Sequence, residues 1–361
     1  STEDTGRKNV AIGYSALTAQ NSDVDNFNVA VGYNAGAAVT TGESNTFIGA
    51  ASGDALTASS NNVAVGTNTL TADTLGARNV AIGSAALATQ NFTTATDSYN
   101  TAVGTLAGNA VTTGTALTLI GGLSGDALTD CDFNTAVGFA SLTTDTLGSK
   151  TTAVGYQALS TQNFTSATDT NNTALGFQAG AAVTTGINNT FIGAASGDAL
   201  TDADFNVAIG THSLTLDTLG SRSTALGYFA LGNQNFTSAT DTYNTAVGYH
   251  AGIAITTGIA NTLIGSLAGD ALTDADNNVA IGIGALGADT KGSRSIAIGE
   301  GALAVQDFTS ATLTYNTVVG AVAGFAVTTG VQNTLIGGLA GDSITSGGKN
   351  TMIGDRAGDV T

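Results

Sequence analysis

The pentapeptide Asn9-Val10-Ala11-Ile12-Gly13 opens a pattern that occurs twenty times and ends with Asn350-Thr351-Met352-Ile353-Gly354. Its closing glycines recur with a period of 17, as from Gly32 to Gly49, and every fourth step is lengthened to 21, as from Gly83 to Gly104. Four coils therefore make a larger repeat, with a period of 72. A short fixed period is the sequence signature of a solenoid, in which each repeat packs only against its neighbours. The pattern predicts an all-β solenoid of about twenty coils with a 17/21-residue period, forming one continuous repeat region over residues 1–361.

Each pentapeptide has the residue pattern of a short strand with two apolar faces. Val10 and Ile12 are β-branched and lie on the same side of a strand, while the residue between them is alanine in thirteen coils. A strand that is apolar on both faces is typical of burial on both sides. One face can fill the coil interior, and the other needs a cover. Because the chain has no helix to supply one, we expect that cover to be another copy of the chain.

The remainder of each coil predicts a corner, a short second strand and a polar return loop. Asparagine opens sixteen of the twenty pentapeptides; the exceptions are Leu117, Thr151, Ser223 and Ser295. Stacked at a strand spacing of ~4.8 Å, these amides can form a ladder along the coils. Alternatively, each asparagine is a turn residue that tolerates a positive φ. The closing glycine is expected to permit a turn that a side chain would forbid.

Composition excludes several classes of protein. The net charge is −18, and the nine basic residues look scattered along the chain, which argues against nucleic-acid binding. No apolar stretch reaches 18 residues, so we expect no membrane insertion. Ser1 does not begin a signal peptide, and the repeats run to both ends without polar caps. We therefore expect a processed or excised segment of a longer fibre, or a chain that stacks end to end with other copies.

The repeated Asn-Val-Ala-Ile-Gly motif resembles the head repeats of trimeric autotransporter adhesins. The related form Asn45-Thr46-Phe47-Ile48-Gly49 is similar to repeats of virion and phage tail fibres. This resemblance covers nearly the whole chain. It implies a left-handed parallel β-roll, three chains wound in parallel into a homotrimeric fibre, and a role in attachment at a cell or virion surface. The coils are longer than those of typical adhesin heads, and no stalk or membrane anchor is recognisable.

Carboxylates are the only candidate metal ligands, and calcium is the ion that they would suit. Three aspartates recur in three of the larger repeats. They are Asp126, Asp130 and Asp132 in the second repeat, Asp198, Asp202 and Asp204 in the third, and Asp270, Asp274 and Asp276 in the fourth. Calcium takes six to eight oxygen ligands, which such loops and their carbonyl groups can supply. In the first repeat only Asp54 is present. The alternative, that these aspartates stabilise turns and solvate the surface, is favoured by how readily aspartate serves turns.

Every fourth coil carries a four-residue insertion with recurring aromatic residues, which predicts a ridge of loops. Its members are Phe92, Tyr99, Phe164, Phe236, Tyr243, Phe308 and Tyr315. These rings are candidates for binding a glycan or a protein of a host surface, since loops on a scaffold often carry binding residues. The alternative is that they fold back to hold the long loop in place, or pack between chains, because exposed aromatic rings promote aggregation.

No set of residues predicts catalysis. His212 and His250 do not recur, and no nucleophile, base and orienting group can be assembled. Cys131 replaces alanine at its coil position and is expected to act as a small core residue. The sequence therefore predicts a non-enzymatic, extracellular structural or adhesive fibre without a required cofactor. Alternatives are a self-assembling filament without a receptor, a phage tail fibre whose catalytic domain lies elsewhere, and an ice-binding solenoid. The last needs a flat threonine array, whereas Val-Thr-Thr-Gly occurs in only one coil of four.

Overall fold

The computed structural model describes residues 7–358, and these residues form short parallel strands without any helix. The chain divides after Gln178 into two compact units, called unit 1 and unit 2 below. Each unit is a stack of ten coils, and each coil contributes one three-residue main strand. The predicted all-β solenoid of about twenty coils with a 17-residue period is confirmed.

The strands of unit 1 lie at regular intervals along the chain. They are β1 Val10–Ile12, β2 Val29–Val31, β3 Thr46–Ile48, β4 Val63–Val65, β5 Gly76–Ala77, β6 Val80–Ile82, β7 Thr96–Asp97, β8 Thr101–Val103, β9 Thr118–Ile120, β10 Thr135–Val137, β11 Gly148–Ser149, β12 Thr152–Val154, β13 Thr168–Asp169 and β14 Thr173–Leu175. The two-residue elements are accessory strands, and all the others are main strands.

Unit 2 repeats the same arrangement. Its strands are β15 Thr190–Ile192, β16 Val207–Ile209, β17 Gly220–Ser221, β18 Thr224–Leu226, β19 Thr240–Asp241, β20 Thr245–Val247, β21 Thr262–Ile264, β22 Val279–Ile281, β23 Gly292–Ser293, β24 Ile296–Ile298, β25 Thr312–Leu313, β26 Thr317–Val319, β27 Thr334–Ile336 and β28 Thr351–Ile353.

Within each unit the ten main strands form one parallel sheet in which every residue pairs with its counterpart in the next coil. In β10 and β12, for example, Thr135 pairs with Thr152 and Ala136 pairs with Ala153. The predicted second strand of every coil is wrong. Among residues 7–358, accessory strands form only beside the insertions, in the pairs β5–β7, β11–β13, β17–β19 and β23–β25. Elsewhere the coil closes through turns, because its corners adopt positive φ angles that end a strand.

The middle residue of the main strand points into the coil and builds the core. From β2 to β27 it is buried in every main strand. Alanine is the usual residue here, and the larger Phe47, Leu119 and Phe191 fill the coils that have glycine at the opposite corner. At Gly53, for instance, an added Cβ would lie 2.4 Å from the Phe47 ring. A large side chain at the middle of the strand is therefore matched by a glycine at the opposite corner, which keeps the coil interior closely packed.

The asparagine ladder is confirmed in part: the side chains bond from coil to coil, but mainly to backbone groups and not to one another. The Oδ1 atom of Asn261 accepts the backbone N–H of Asn278 at 3.0 Å, and its Nδ2 atom donates to the carbonyl of Ala275 at 2.8 Å. The same two bonds recur at Asn45 and Asn206. Direct amide-to-amide bonds occur at a few steps only, such as Asn350 to Asn333 at 2.9 Å. The ladder thus satisfies backbone groups that would otherwise be buried without partners.

The alternative role of asparagine as the residue with a positive φ is wrong. The positive φ belongs to the residue just before the pentapeptide, in all twenty coils and at values from 50° to 66°. Side chains as large as Phe205, Arg222 and Tyr243 occupy this position. A positive φ is unfavourable for such residues by about 1–2 kcal/mol each, so the stacked neighbours must hold the backbone in place.

The closing glycines allow the coils to approach one another. Their φ angles run from 124° to 148°, outside the range that other residues adopt readily. In both units a Cβ added to a closing glycine would lie 2.1–2.7 Å from the carbonyl group of the next one, except at the last coil. The glycine is therefore required twice, by its backbone angle and by the lack of space beside it.

Gly265 and Gly284 provide a matched test of this requirement. At Gly265 a new Cβ meets the Gly282 carbonyl oxygen at 2.5 Å, whereas at Gly284, with φ of 61°, nothing lies within 4 Å. We expect Gly265→Ala to lower the free energy of unfolding by about 3 kcal/mol or more, from strain and clash together. Gly284→Ala should cost only about 1 kcal/mol. Equal losses of stability in denaturant unfolding would contradict this account.

Candidate functional sites

The outer face of each main sheet, formed by the first and third residues of the strands, is uncharged and uncovered by its own chain, and its third-residue column is apolar. The first position is threonine in thirteen strands and valine or isoleucine in the others, and the third is always isoleucine, valine or leucine. These side chains are half-buried or exposed. No charged residue interrupts the two columns in a chain of net charge −18. A contiguous uncharged surface of this kind is a candidate interaction site.

Exposed aromatic rings recur at the residue after the closing glycine. In unit 1 the Tyr14 and Tyr33 rings stack at 5.4 Å, and Tyr156 stacks between Phe139 at 5.9 Å and Phe177 at 5.3 Å. Tyr14 is 71 % exposed, and all five rings are exposed. The sequence-based predictions did not include these rings, because they lie one position beyond the aligned pentapeptides. An alignment longer by one residue would have shown the aromatic column.

In unit 2 the stacked rings include both histidines of the chain. Tyr228 stacks on Tyr249 at 5.7 Å, and Tyr249 lies 3.9 Å from the His250 ring. His212 stacks on Phe229 at 4.8 Å. Although the two histidines do not recur in the repeats, they belong to one aromatic cluster. Neither contact supplies the nucleophile and base of a catalytic site.

The aromatic residues of the insertion fall into two groups. Phe92, Phe164, Phe236 and Phe308 are buried, with 6–8 % of their surface exposed. They therefore adopt the folded-back arrangement, and their rings are not available to a partner. Tyr99, Tyr243 and Tyr315 remain exposed at the end of the same loops. Of the predicted ridge, only the tyrosines present a surface.

A buried aspartate holds each insertion in place. Asp289 accepts hydrogen bonds from the backbone N–H groups of Gly292 and Phe308 at 3.0 and 3.1 Å, and from Gln306 Nε2 at 2.5 Å. The amide Oε1 of Gln306 in turn accepts a bond from Asn316 Nδ2 at 2.8 Å. Equivalent networks surround Asp73, Asp145 and Asp217.

These aspartates were not predicted from the sequence, although a signal was present. Aspartate precedes glycine by three positions in all four larger repeats, as in Asp73-Thr74-Leu75-Gly76. A Cβ added to Gly76 would lie 2.1 Å from the Asp73 carboxylate, so glycine and aspartate are required together. Unlike Asp130 and Asp132, whose places are taken by Ala58 and Ser60 in the first repeat, this aspartate is present in all four larger repeats. Constancy across the repeats therefore distinguishes these structural carboxylates from Asp130, Asp132 and their copies.

The calcium candidates do not form a shared set of ligands. In the second larger repeat Asp126 accepts from the Thr143 hydroxyl at 2.5 Å, and Asp130 accepts from that of Thr113 at 2.7 Å. Asp132 accepts from the backbone N–H of residue 115 at 2.7 Å. The other copies are likewise divided among separate partners, at Asp198, Asp202, Asp204, Asp274 and Asp276, while Asp270 lies near His250. Within residues 7–358, no three His, Cys, Asp or Glu side chains come together.

The calcium candidate Asp270 has a partly buried carboxyl near His250. Burial raises the pKa of its carboxyl, and the charge of His250 partly offsets this effect. A raised pKa weakens a carboxylate as a calcium ligand, because the metal binds the deprotonated form.

Cys131 is buried in unit 1, as expected of a small core residue. Burial raises the pKa of its thiol to about 12, and the charge of Asp145 adds to this effect. The thiol therefore stays protonated and unreactive at neutral pH.

The basic residues are not scattered, which corrects the sequence-based expectation. Six of the nine occupy the positive-φ position before the pentapeptide: Lys8, Arg78, Lys150, Arg222, Arg294 and Lys349. Four of these side chains pair with an aspartate: Lys8, Arg78, Lys150 and Arg222. Since these pairs neutralise their charge, the column does not form the basic stripe that nucleic-acid binding needs.

Three of the four exceptions to the asparagine ladder have a common physical cause. Thr151, Ser223 and Ser295 stand where the insertion follows the pentapeptide and displaces the carbonyl that asparagine would bond. At the same place in the first larger repeat, Asn79 is retained and its buried Nδ2 atom has no partner among the described residues. At the equivalent place in the third larger repeat, the Ser223 hydroxyl bonds the Thr242 hydroxyl, and its Oγ atom accepts a hydrogen bond from Gln234 Nε2 at 2.8 Å.

Introducing the serine and threonine of the third larger repeat at the equivalent positions of the first should therefore stabilise the protein. We expect Asn79→Ser with Ser98→Thr to raise the free energy of unfolding by about 1 kcal/mol, because a buried unpaired amide costs about 1–3 kcal/mol. The reverse change, Ser223→Asn with Thr242→Ser, is the control and should lower stability. Chemical denaturation measures both. A loss of stability in the first double variant would contradict this explanation.

The buried aspartates should make stability depend on pH. Burial raises the pKa of Asp73 and Asp289 above the ordinary 3.8, outweighing the hydrogen bonds that lower it. Each group therefore contributes stability that is fully present below pH 3.8 and is lost as the pH rises through its raised folded-state pKa. We expect a carboxyl NMR titration to show Asp289 taking up its proton above pH 3.8. The variant Asp289→Asn should lack that titration step, which would assign the step to Asp289. A pKa of Asp289 below 3.8 would contradict the prediction.

No family profile, curated protein or solved structure matches this chain. No helix capable of crossing a membrane occurs in residues 7–358. Among the surfaces described above, the outer face of the main sheets is the one to which every coil of both units contributes.

Proposed function

We propose that this chain is a segment of a homotrimeric, non-enzymatic fibre that acts as the shaft or head of an attachment structure at a cell or virion surface. The observation that carries the proposal is the uncovered outer face of the main sheets. It consists of two uncharged columns in which β-branched residues recur at every coil. The face has the composition of an interface core, from which charged residues are depleted.

The repeat spacing favours a sister chain as the cover. Consecutive strands lie ~4.8 Å apart, so a partner that packs on every coil must present side chains with the same repeat distance. A second copy does so automatically, because each of its coils carries the same two columns. The number of three chains comes from the resemblance of the pentapeptides to trimeric adhesin heads.

The rest of the surface suits an extracellular fibre. The net charge of −18 discourages association through any surface other than the outer face. Exposed tyrosines at the insertions, Tyr99, Tyr243 and Tyr315, project on loops and supply contacts for a glycan or protein of a host surface. Catalysis, if the whole fibre performs any, belongs to a domain outside this segment.

The threonine column supports a second candidate function. Thirteen of the twenty main strands begin with threonine, each aligned with a β-branched residue of its neighbour. An exposed regular array of this kind suits binding to ice or another crystalline surface. Such binding requires the threonines to face solvent, so it is incompatible with their burial between chains. Thermal hysteresis or surface adsorption by a single folded chain would favour this function over the fibre.

Two leucines of unit 2 test the interface. Leu226 lies on the outer face at the end of β18 and is 41 % exposed, whereas Leu216 lies on a turn and is 50 % exposed. We expect Leu226→Glu to raise the dissociation constant of the trimer at least tenfold, because a charge in an interface core is costly. Leu216→Glu should leave assembly unchanged. Sedimentation velocity measures both, and circular dichroism checks that both variants fold. Unaltered assembly of Leu226→Glu would contradict the proposed interface, and polymers of indefinite length would favour the filament.

A further inference from the structure

The third larger repeat contains a three-layer stack on its return loops. The guanidinium of Arg222 lies between two rings, with its Cζ atom 4.8 Å from the Phe205 centroid and 6.0 Å from that of Tyr243. Asp241 holds the guanidinium in place through a 2.9 Å contact with its Nε atom. Stacking of rings on a guanidinium is favourable, because the cation is attracted to the face of the ring.

The first larger repeat contains the same stack without one of its rings. Arg78 pairs with Asp97 at 3.0 Å, and its Cζ atom lies 5.7 Å from the Tyr99 centroid. Asn61 occupies the position that corresponds to Phe205 two larger repeats later. Asn61 has φ of 63° and Phe205 has φ of 60°, so the backbone is the same and only the ring is missing.

A cavity lies where this ring is absent. Its volume is about 430 Å³, and its walls include Ser60, Asn61, Leu75, Ala77, Arg78 and Asp97. This size falls within the range of ligand sites, about 300–1,000 Å³. Leu75 and Ala77 supply apolar surface, while Ser60 and Asn61 offer hydrogen bonds beside it. The cavity thus combines one planar cation with the contacts that an aromatic side chain and its peptide groups need.

We propose that this cavity binds an aromatic side chain of a partner polypeptide, whose ring takes the place that Phe205 has in the third larger repeat. The charge of Arg78 is already neutralised by Asp97, and the chain as a whole is strongly acidic, so the site is not built for an anion. The Arg78 guanidinium stacks on Tyr99 alone, so the face that Phe205 would cover in the third larger repeat has no ring against it. The site uses no residue of the outer sheet face, and it does not depend on the proposed fibre.

The absence of tryptophan from the chain makes a direct test available. The capped peptide Gly-Trp-Gly is titrated with the full-length protein, and its fluorescence anisotropy reports binding because the probe carries the only indole in solution. The variant Asn61→Phe places in the cavity the ring that Phe205 supplies in the third larger repeat. We expect this variant to bind the peptide at least tenfold more weakly. Arg78→Lys keeps the charge, as Lys150 does in the second larger repeat, but removes the planar face. Its affinity should fall about two- to fivefold.

Asn277→Phe is the matched control. It makes the same substitution at the equivalent position of the fourth larger repeat, where Leu313 replaces the aspartate that holds the guanidinium. Binding should be unchanged in this variant, and circular dichroism establishes that all three variants fold. Undiminished binding to Asn61→Phe would overturn the proposal, as would equal losses in the two phenylalanine variants. Displacement of the probe by lactose would assign the cavity to a saccharide and would also overturn it.

Discussion

The close approach of the closing glycines is the constraint on which the rest of the structure depends. The carbonyl group of each one lies where a Cβ of the preceding one would be. Within each unit this contact sets a coil directly above its neighbour, so that equivalent residues pair along the sheet and the asparagine amides bond the next coil. Backbone angles that are unfavourable in isolation recur at the same coil positions. They persist because the stacked neighbours hold them, as strained positions require.

Close stacking also concentrates side chains of one type into columns. Inside the coil this gives a core of alanines with occasional large residues opposite glycine, and on the return loop it gives the cations and rings that form the three-layer stack. On the outer face it gives two uncharged columns that the chain cannot cover itself. The surface that we assign to association is therefore a direct consequence of the same repeat that builds the core.

Sequence periodicity was sufficient to predict the coils, because these depend on spacing alone; the parallel arrangement was implied by the resemblance of the pentapeptide, and the asparagine ladder was one of two open alternatives. Periodicity could not tell which side of the strand faces inward, since Val10, Ala11 and Ile12 are all apolar or small. Nor could it separate the buried Asp289 from the exposed Asp274, because both precede turns and only the fold shows which carboxylate the insertion covers. The burial of Phe92 was one of two open alternatives for the same reason: the direction of a loop depends on contacts that are distant in sequence.

Sedimentation equilibrium of the unmodified chain at micromolar concentration tests the central claim most directly. If sister chains cover the outer face, the measured mass should be three times the chain mass of 35.3 kDa. A folded species with the mass of one chain would contradict the account, because the apolar third-residue column would then remain in water.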